Sequence, residues 1–414
     1  MINKKQHIPA GYKSSPLGPI PEDWEVKRVG DFGKVVTGST PPTEDADNYG
    51  LTYKFVSPAD ISDNKYIQNT EKHLSEKGFS ISRKMPKGTV LFTCIGSTIG
   101  KCAVANEELT SNQQINAVIC DSNHSGDYLY YELCNRSGRI RQIAGEQAVP
   151  IINKSSFESF KIVCPTLPEQ KKIASLLSLW DTAIEKQTAL IEKLTLRKKG
   201  LMQQLLTGKK RLKGFGGEWK NIKLGSVADR ITRKNEEDNQ NVVTISAQRG
   251  FVVQTDFFNK SVASETLDNY FLVHKDEFCY NKSYSNGYPM GAIKRLKTFD
   301  KAVVTTLYIC FALKSETTTS IDFFEQYCES GILNKELVKV ANEGGRAHGL
   351  LNVTPFDFFN MHMNIPGINE QNAIASVLVD ADKEIEIQKQ KLAAMQEQKR
   401  GLMQVLLSGK RRVE

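Results

Sequence analysis

Residues 96–101 read Gly-Ser-Thr-Ile-Gly-Lys and come close to a phosphate-binding loop. Such a loop needs four residues between its glycines and a Ser or Thr after the lysine to hold magnesium. Here three residues separate the glycines and Cys102 follows the lysine, so no nucleotide site is expected. The chain has no GxGxxG, no GxSxG, no NPPY-like or DPPY-like methyltransferase tetrad and no recognisable PD…ExK nuclease core. Its eight cysteines form no CxxC pair, and its six histidines show neither HxxxH nor HxH spacing, so the ligand patterns of zinc are missing. Most cysteines sit among apolar neighbours, as in VLFTCIG and LYICFAL, and read as buried reduced thiols. No catalysis and no metal are expected of this chain.

What remains is polar loop chemistry. The run CYNKSYSNGYPMGAIKR (279–295) gathers Lys282, Tyr284, Asn286, Tyr288, Lys294 and Arg295 around two glycines. Earlier in the chain, after a strand-like run, stand Ser97, Thr98 and Lys101, followed by Asn112 and Gln113 in SNQQ. Lys and Arg neutralise phosphates, while Asn, Gln and Arg read base edges in the major groove. These eleven residues are the candidate DNA contacts. On composition alone, a plain polar surface hairpin is the favoured reading.

Charge narrows the choice. Residues 169–213 hold 11 Lys/Arg against 4 Asp/Glu, but 1–168 hold 19 against 18 and 214–369 hold 17 against 18. If the two large segments bind nucleic acid, they use local basic faces and not bulk charge. With 414 residues, 40% hydrophobic and 25% charged, the chain is an ordinary globular protein of two or three domains. Its longest nearly apolar stretch, Val303–Leu313, is far short of the roughly 20 residues a membrane helix needs. MINKKQHIPAGYK has no apolar core or cleavage site, so a cytoplasmic protein is expected.

The elements that must position these loops follow from an internal repeat. Residues 169–213 align without a gap on 370–414, with 20 of 45 positions identical, including EQ, IAS and GLMQ. PEDWEVKRVGDF (21–32) resembles GGEWKNIKLGSV (216–227), and the segment around Asn153–Phe157 resembles that around Asn352–Phe356. The repeated blocks lack internal proline and are rich in helix formers. Ile173, Leu177, Trp180, Ile184, Gln187, Ile191, Leu194, Lys198, Leu201 and Leu205 alternate in spacings of four and three. Ile374, Leu378, Ala381, Ile385, Gln388, Leu392, Met395, Lys399, Leu402 and Leu406 repeat the pattern. That is a heptad seam with matched polar positions, which favours helix against helix over two helices each packing on its own domain. The span from Gln170 to Leu206 corresponds to about 55 Å. Connectivity then makes the pair antiparallel and brings the last residues back toward Trp24.

The globular segments read as mixed α/β, with strand-like runs at 88–96, 115–120, 241–246, 276–281 and 302–313 and helix-like runs at 127–145 and 321–342. The expected fold is therefore α+β: two mixed α/β domains joined by a long antiparallel two-helix coiled coil as a pseudo-twofold tandem repeat. The divisions are an N-terminal extension 1–20, a first domain 21–168, a helix 169–213, a second domain 214–369 and a helix 370–414.

The doubled block PxLPEQxxIA…LxxWDxxIEKQxxLIEKL…RKKGLMQxLLTGKxR closely resembles the conserved regions of the specificity subunit of type I restriction–modification enzymes. The openings at 21–32 and 216–227 resemble the starts of its target-recognition domains, and YFLVHKDEFCYNKSYSNGYPMGAIKRL resembles the body of one. The extended start 1–20, and Gly367-Ile-Asn where the first block has Thr166-Leu-Pro, depart from the pattern. The resemblance implies a non-catalytic subunit whose two recognition domains each read one half of a bipartite, asymmetric double-stranded DNA target. It implies helices that space the readers and dock two methylation subunits, with S-adenosylmethionine there and ATP and magnesium on partner subunits that include restriction subunits. The alternatives are a coiled-coil scaffold or adaptor, or the specificity subunit of a related two-subunit restriction–methylation system. A self-contained methyltransferase or nuclease would need motifs the chain does not have.

Overall fold

The computed structural model describes residues 8–144, 150–254, 267–343 and 351–413. The chain divides into two compact units, residues 1–189 with 389–414 and residues 190–388. The boundaries thus fall inside the long helices, and each unit takes one globular segment with half of each helix.

In unit 1 the apolar runs form an antiparallel sheet of β1 (Gly33–Thr37), β2 (Val90–Thr93), β3 (Cys102–Val104) and β4 (Ile115–Cys120), ordered β1-β4-β2-β3. Side chains alternate between the faces of a strand, so a run that is apolar throughout needs a core on both sides. Both cores are present. Val35, Val90, Phe92 and Val118 join one with Tyr128, Leu129 and Leu133 of α1 (Gly126–Ile143). Leu91, Ala103, Ile115 and Ala117 join the other with Val56, Ile61 and Ile67. Helix α2 (Lys154–Ser159) buries Phe157, stacked on Phe92 at 5.0 Å.

Unit 2 repeats the plan with β5 (Ala228–Ile231), β6 (Phe278–Asn281), β7 (Ala292–Arg295) and β8 (Ile309–Leu313), ordered β5-β8-β6-β7. Phe278, Tyr280, Ile309 and Phe311 pack with Phe323 and Phe324 of α3 (Ile321–Glu329), while Cys279 and Cys310 face a second core with Val243, Ile245 and Val273. Two runs differ from their sequence reading. Residues 302–313 are two strands, because Lys301–Val304 pairs with Phe271–His274 and a turn at Thr305–Tyr308 starts β8. The helical run 321–342 breaks after Glu329 at Gly331 (φ +72°) and resumes as α4 (Asn334–Val340). Gly145, at the end of the first helix-like run, lies outside the described residues. Helix α5 (Pro355–Asn360) places Phe358 on Tyr280 at 5.1 Å.

The long helices are Leu167–Leu205 and Ile368–Leu407. None of the predicted seam residues is exposed in either helix. In unit 1, Ile173, Ala174 and Leu177 pack with Leu402, Leu406 and Leu407. In unit 2, Ile374, Ala375 and Leu378 pack with Leu201, Met202 and Leu205. The pairing is antiparallel in both, and the polar seam positions have partners. Lys399 donates to Asp181, which also accepts from the Tyr131 hydroxyl. Lys198 donates to Asp382 at 2.6 Å, beside Gln326 at 2.8 Å.

The repeated Glu-Gln pair has a job in each unit. Glu169 accepts from Trp24 Nε1 at 2.8 Å and from Arg412, and Glu370 accepts from Arg211 at 2.5 and 2.6 Å. Gln170 accepts from Ser125 N at 2.9 Å and donates to the Pro165 carbonyl; Gln371 does the same with Ser320 N and Pro366. Ser125 and Ser320 are the N-caps of α1 and α3, so each glutamine ties a long helix to the start of the helix behind its sheet. The extension joins unit 1: Tyr12–Lys13 pairs with Ile20–Pro21, and the Tyr12 hydroxyl donates to the Gly409 carbonyl at 2.7 Å.

Candidate nucleic-acid interface

In unit 1 the antiparallel register sets Ile115 opposite Thr93 and Asn116 opposite Thr37. The loops after β1 and β2 and before β4 therefore emerge at one end of the sheet. Gly38 permits their close approach, since a Cβ there would lie 2.1 Å from the Asn112 carbonyl oxygen. The loops are stitched together by Ser39 N to the Ser111 carbonyl (2.8 Å), Thr40 Oγ1 to Gln113 Oε1 (2.5 Å) and Cys94 N to the Gln114 carbonyl (2.8 Å). Asn112 and Gln113 thus stand on a fixed edge, with Gln113 exposed. Ser97 is exposed on the neighbouring loop, which Arg141 Nη2 fastens through the Ser97 carbonyl at 2.8 Å. Thr98 is half-buried there, and its carbonyl accepts from Lys101 N. The ammonium of Lys101 turns back to the Ile61 carbonyl at 2.7 Å, which pins the loop.

Arg83 belongs to this edge although no spacing in the sequence singled it out. Its amide donates to Ser39 Oγ and its Nη1 to the Thr37 carbonyl at 2.8 Å, leaving an exposed guanidinium beside the Ser39–Thr40 loop. Only the fold brings 83 to 37 and 39.

In unit 2 the corresponding end carries the β6–β7 loop. Gly291 (φ +74°) is required where it closes, because a Cβ would lie 2.3 Å from the Asn281 carbonyl oxygen. Tyr284 is 64% exposed, and Asn286 is exposed with its carbonyl accepting from Gln248 Nε2 at 3.0 Å. Lys282 is half-buried, its carbonyl accepts from Leu351 N, and burial lowers the pKa of its ammonium. Gln248 and Arg249, in the turn from Val243–Ser246 to Gly250–Val253, are exposed beside it and were not foreseen.

Three candidates are placed inward. Lys294 is buried and donates to Glu329 and to the Tyr288 hydroxyl, which itself donates to Glu329 at 2.9 Å. Burial and the Glu329 carboxylate raise the Tyr288 phenol pKa. Arg295 meets Asp276 at 2.7 Å, Asp322 at 2.6 Å and Glu325 at 3.3 Å. As placed, these groups link the β6–β7 hairpin to α3, and their charges are spent on carboxylates. The sequence shows a cation in a polar run but not that α3 lays Asp322, Glu325 and Glu329 against it.

Each unit thus offers amides, hydroxyls and a few cations at one sheet end, donor and acceptor chemistry of the kind that matches base edges and phosphates. Among the described residues no three His, Cys, Asp or Glu gather as metal ligands, and no helix is long and apolar enough to cross a membrane.

Residues 21–196 match the family model described as the type I restriction modification DNA specificity domain. The MjaIX specificity subunit of Methanocaldococcus jannaschii is 34% identical over 194 residues, 45% of each chain. Over these residues the chain is similar to type I restriction–modification specificity subunits. The MjaVIII specificity subunit of the same organism is 25% identical over 95% of this chain and 94% of its own length. The fold also resembles the S subunit crystal structure from M. genitalium, with a TM-score of 0.55, 15% identity and coverage of 92% and 96%. This chain spans about half the length of the MjaIX subunit but nearly all of MjaVIII.

Proposed function

We propose that the chain is a type I specificity subunit, that each unit reads one half of a bipartite, asymmetric DNA target, and that the long helices set the spacing and dock two methylation subunits. Those subunits would carry S-adenosylmethionine, with ATP and magnesium used by restriction subunits in the full cytoplasmic complex. The observation that supports this reading most is one frame with two sets of loops. Sheet order, Glu-Gln latches and helix pairing repeat, while the same sheet end carries Ser111-Asn112-Gln113-Gln114 in unit 1 and Thr305-Thr306-Leu307-Tyr308 in unit 2. A repeated frame with unlike edges suits two readers of unlike sequences.

The test is exchange of residues 21–165 for those of a relative with a different target, followed by genome-wide mapping of methylated adenines. One half of the target should change and the other persist. A change in both halves, or in neither, overturns independent reading.

A further inference from the structure

Leu307 is 58% exposed and joins neither core of unit 2. Its turn is firmly held. Thr305 Oγ1 accepts from Leu307 N at 3.3 Å, and the Tyr308 hydroxyl meets Thr244 Oγ1 at 3.0 Å. The leucine therefore stands out from an anchored turn.

Its place in the fold gives that exposure meaning. β8 follows this turn as β4 follows the Ser111–Gln114 loop, and each strand is second in its sheet. Counted back from the first strand residue, Leu307 holds the position of Gln113. The last pair of β6 and β8 is Tyr280 with Ile309, so Leu307 lies just before the start of β8 as Lys282 lies just after the end of β6, at the root of the loop bearing Tyr284 and Asn286. An apolar side chain thus replaces an amide at the same point of the same edge.

Resting on the reading of unit 2 as a DNA reader, we propose that Leu307 recognises the C5-methyl group of a pyrimidine in the major groove of its half-site. A methyl group is the apolar feature that the major-groove edge of a base pair offers, and apolar side chains contact it there. Thymine and 5-methylcytosine share this chemistry. A hydrogen-bonding residue at this point would gain nothing from it, and Leu307 makes no hydrogen bond that could select another edge.

The test uses the chain assembled with its methylation subunits and duplexes of the mapped target. Each thymine of the unit 2 half-site is replaced singly by deoxyuridine, which removes only the methyl group, and each cytosine by 5-methylcytosine. One buried methyl-sized group is worth about 0.8 kcal/mol, or about fourfold in affinity. At one thymine the wild-type complex should lose about fourfold with deoxyuridine, or at one cytosine gain about fourfold with 5-methylcytosine; which arm responds identifies the base. Complexes with Leu307→Ala or Leu307→Gln should fold and bind but show a ratio near one at that position, with the unit 1 half-site unaffected. Methyl dependence at no position, or dependence that survives both substitutions, overturns the proposal while leaving unit 2 a reader. If exchange of unit 2 leaves the target unchanged, both the reading and the proposal fail.

Discussion

Arg412 tests how unit 1 closes. Its Nε and Nη2 donate to the two oxygens of Glu169 at 2.6 and 2.8 Å, its Nη1 and Nη2 to Asp23 at 2.8 Å, and its guanidinium lies 5.6 Å from the Trp24 ring. The two carboxylates are unequal, because the Asp23 side chain is 49% exposed and that of Glu169 only 7%. The Asp23 half is a surface pair worth about 0–1 kcal/mol. Loss of the guanidinium leaves Glu169 a covered charge with Trp24 Nε1 as its donor, and breaking a buried pair costs about 3–5 kcal/mol. Arg412 is itself 42% exposed, so water enters the vacated space and screens the charge. Arg412→Ala should therefore destabilise unit 1 by about 2–3 kcal/mol. Arg412→Lys keeps the charge but loses the planar fork and should fall between. Adding Glu169→Gln to Arg412→Ala should recover part of the loss, since no uncompensated charge remains. Urea unfolding in a Trp180→Phe/Trp219→Phe background leaves Trp24 as the fluorescent reporter. With a slope of about 2 kcal/mol per molar, the midpoint should fall by about 1–1.5 M. A fall below about 0.3 M, or a double variant no better than Arg412→Ala, would refute the reasoning.

Four further outcomes are expected. The Arg412 hydrogen bond holds the Asp23 carboxyl below its ordinary range, so the unfolded chain binds the proton more readily. The stabilisation is present above about pH 4 and fades as pH falls through the depressed value, so wild type and Asp23→Asn should converge in stability at acid pH. Lys294→Met should cost unit 2 about 2–4 kcal/mol by stranding Glu329, yet leave the salt dependence of DNA affinity unchanged; an altered slope would make Lys294 a phosphate contact. Lys282→Ala should lower the slope of log affinity against log salt by about one if its ammonium meets a phosphate, and joint alanine substitution of Ser97, Asn112 and Gln113 should relax only the unit 1 half-site in methylation mapping.

The repeat and the heptad seam were legible because helix pairing is written in local spacing. Leu177, Leu378 and the seam lysines stand where the four-three alternation puts them, and Asp181 and Asp382 meet those lysines. The sheets were legible as apolar runs but their breaks were not. Residues 302–313 gave no sign that Val304 and Ile309 belong to different sheets, because Thr305–Tyr308 is as β-prone as the residues around it. The edges were half legible. Asn112, Gln113, Tyr284 and Asn286 lie in polar loops where the sequence placed them, whereas Lys294 and Arg295 sit in strand β7, where alternation and the acidic face of α3 decide their fate. Arg83 was invisible because its partners are more than 40 residues away.

The pattern of identity within the repeat has a physical cause. Glu169 and Glu370 must accept an arginine, Gln170 and Gln371 must bridge a proline carbonyl to a helix cap, and Ile173-Ala174 and Ile374-Ala375 must fill a core. Each job tolerates few side chains, because a charge left unpaired or a methyl removed costs about 1–5 kcal/mol. The edge is less constrained. Gln113 and Leu307 occupy the same point of the same frame, and either one leaves the strand behind it in place. The frame is thus held by interactions that fix its residues, while the same point of its edge accepts an amide in one unit and an apolar side chain in the other. Such a protein can change what its edges meet without disturbing how it folds, and reading one DNA sequence instead of another asks for that freedom.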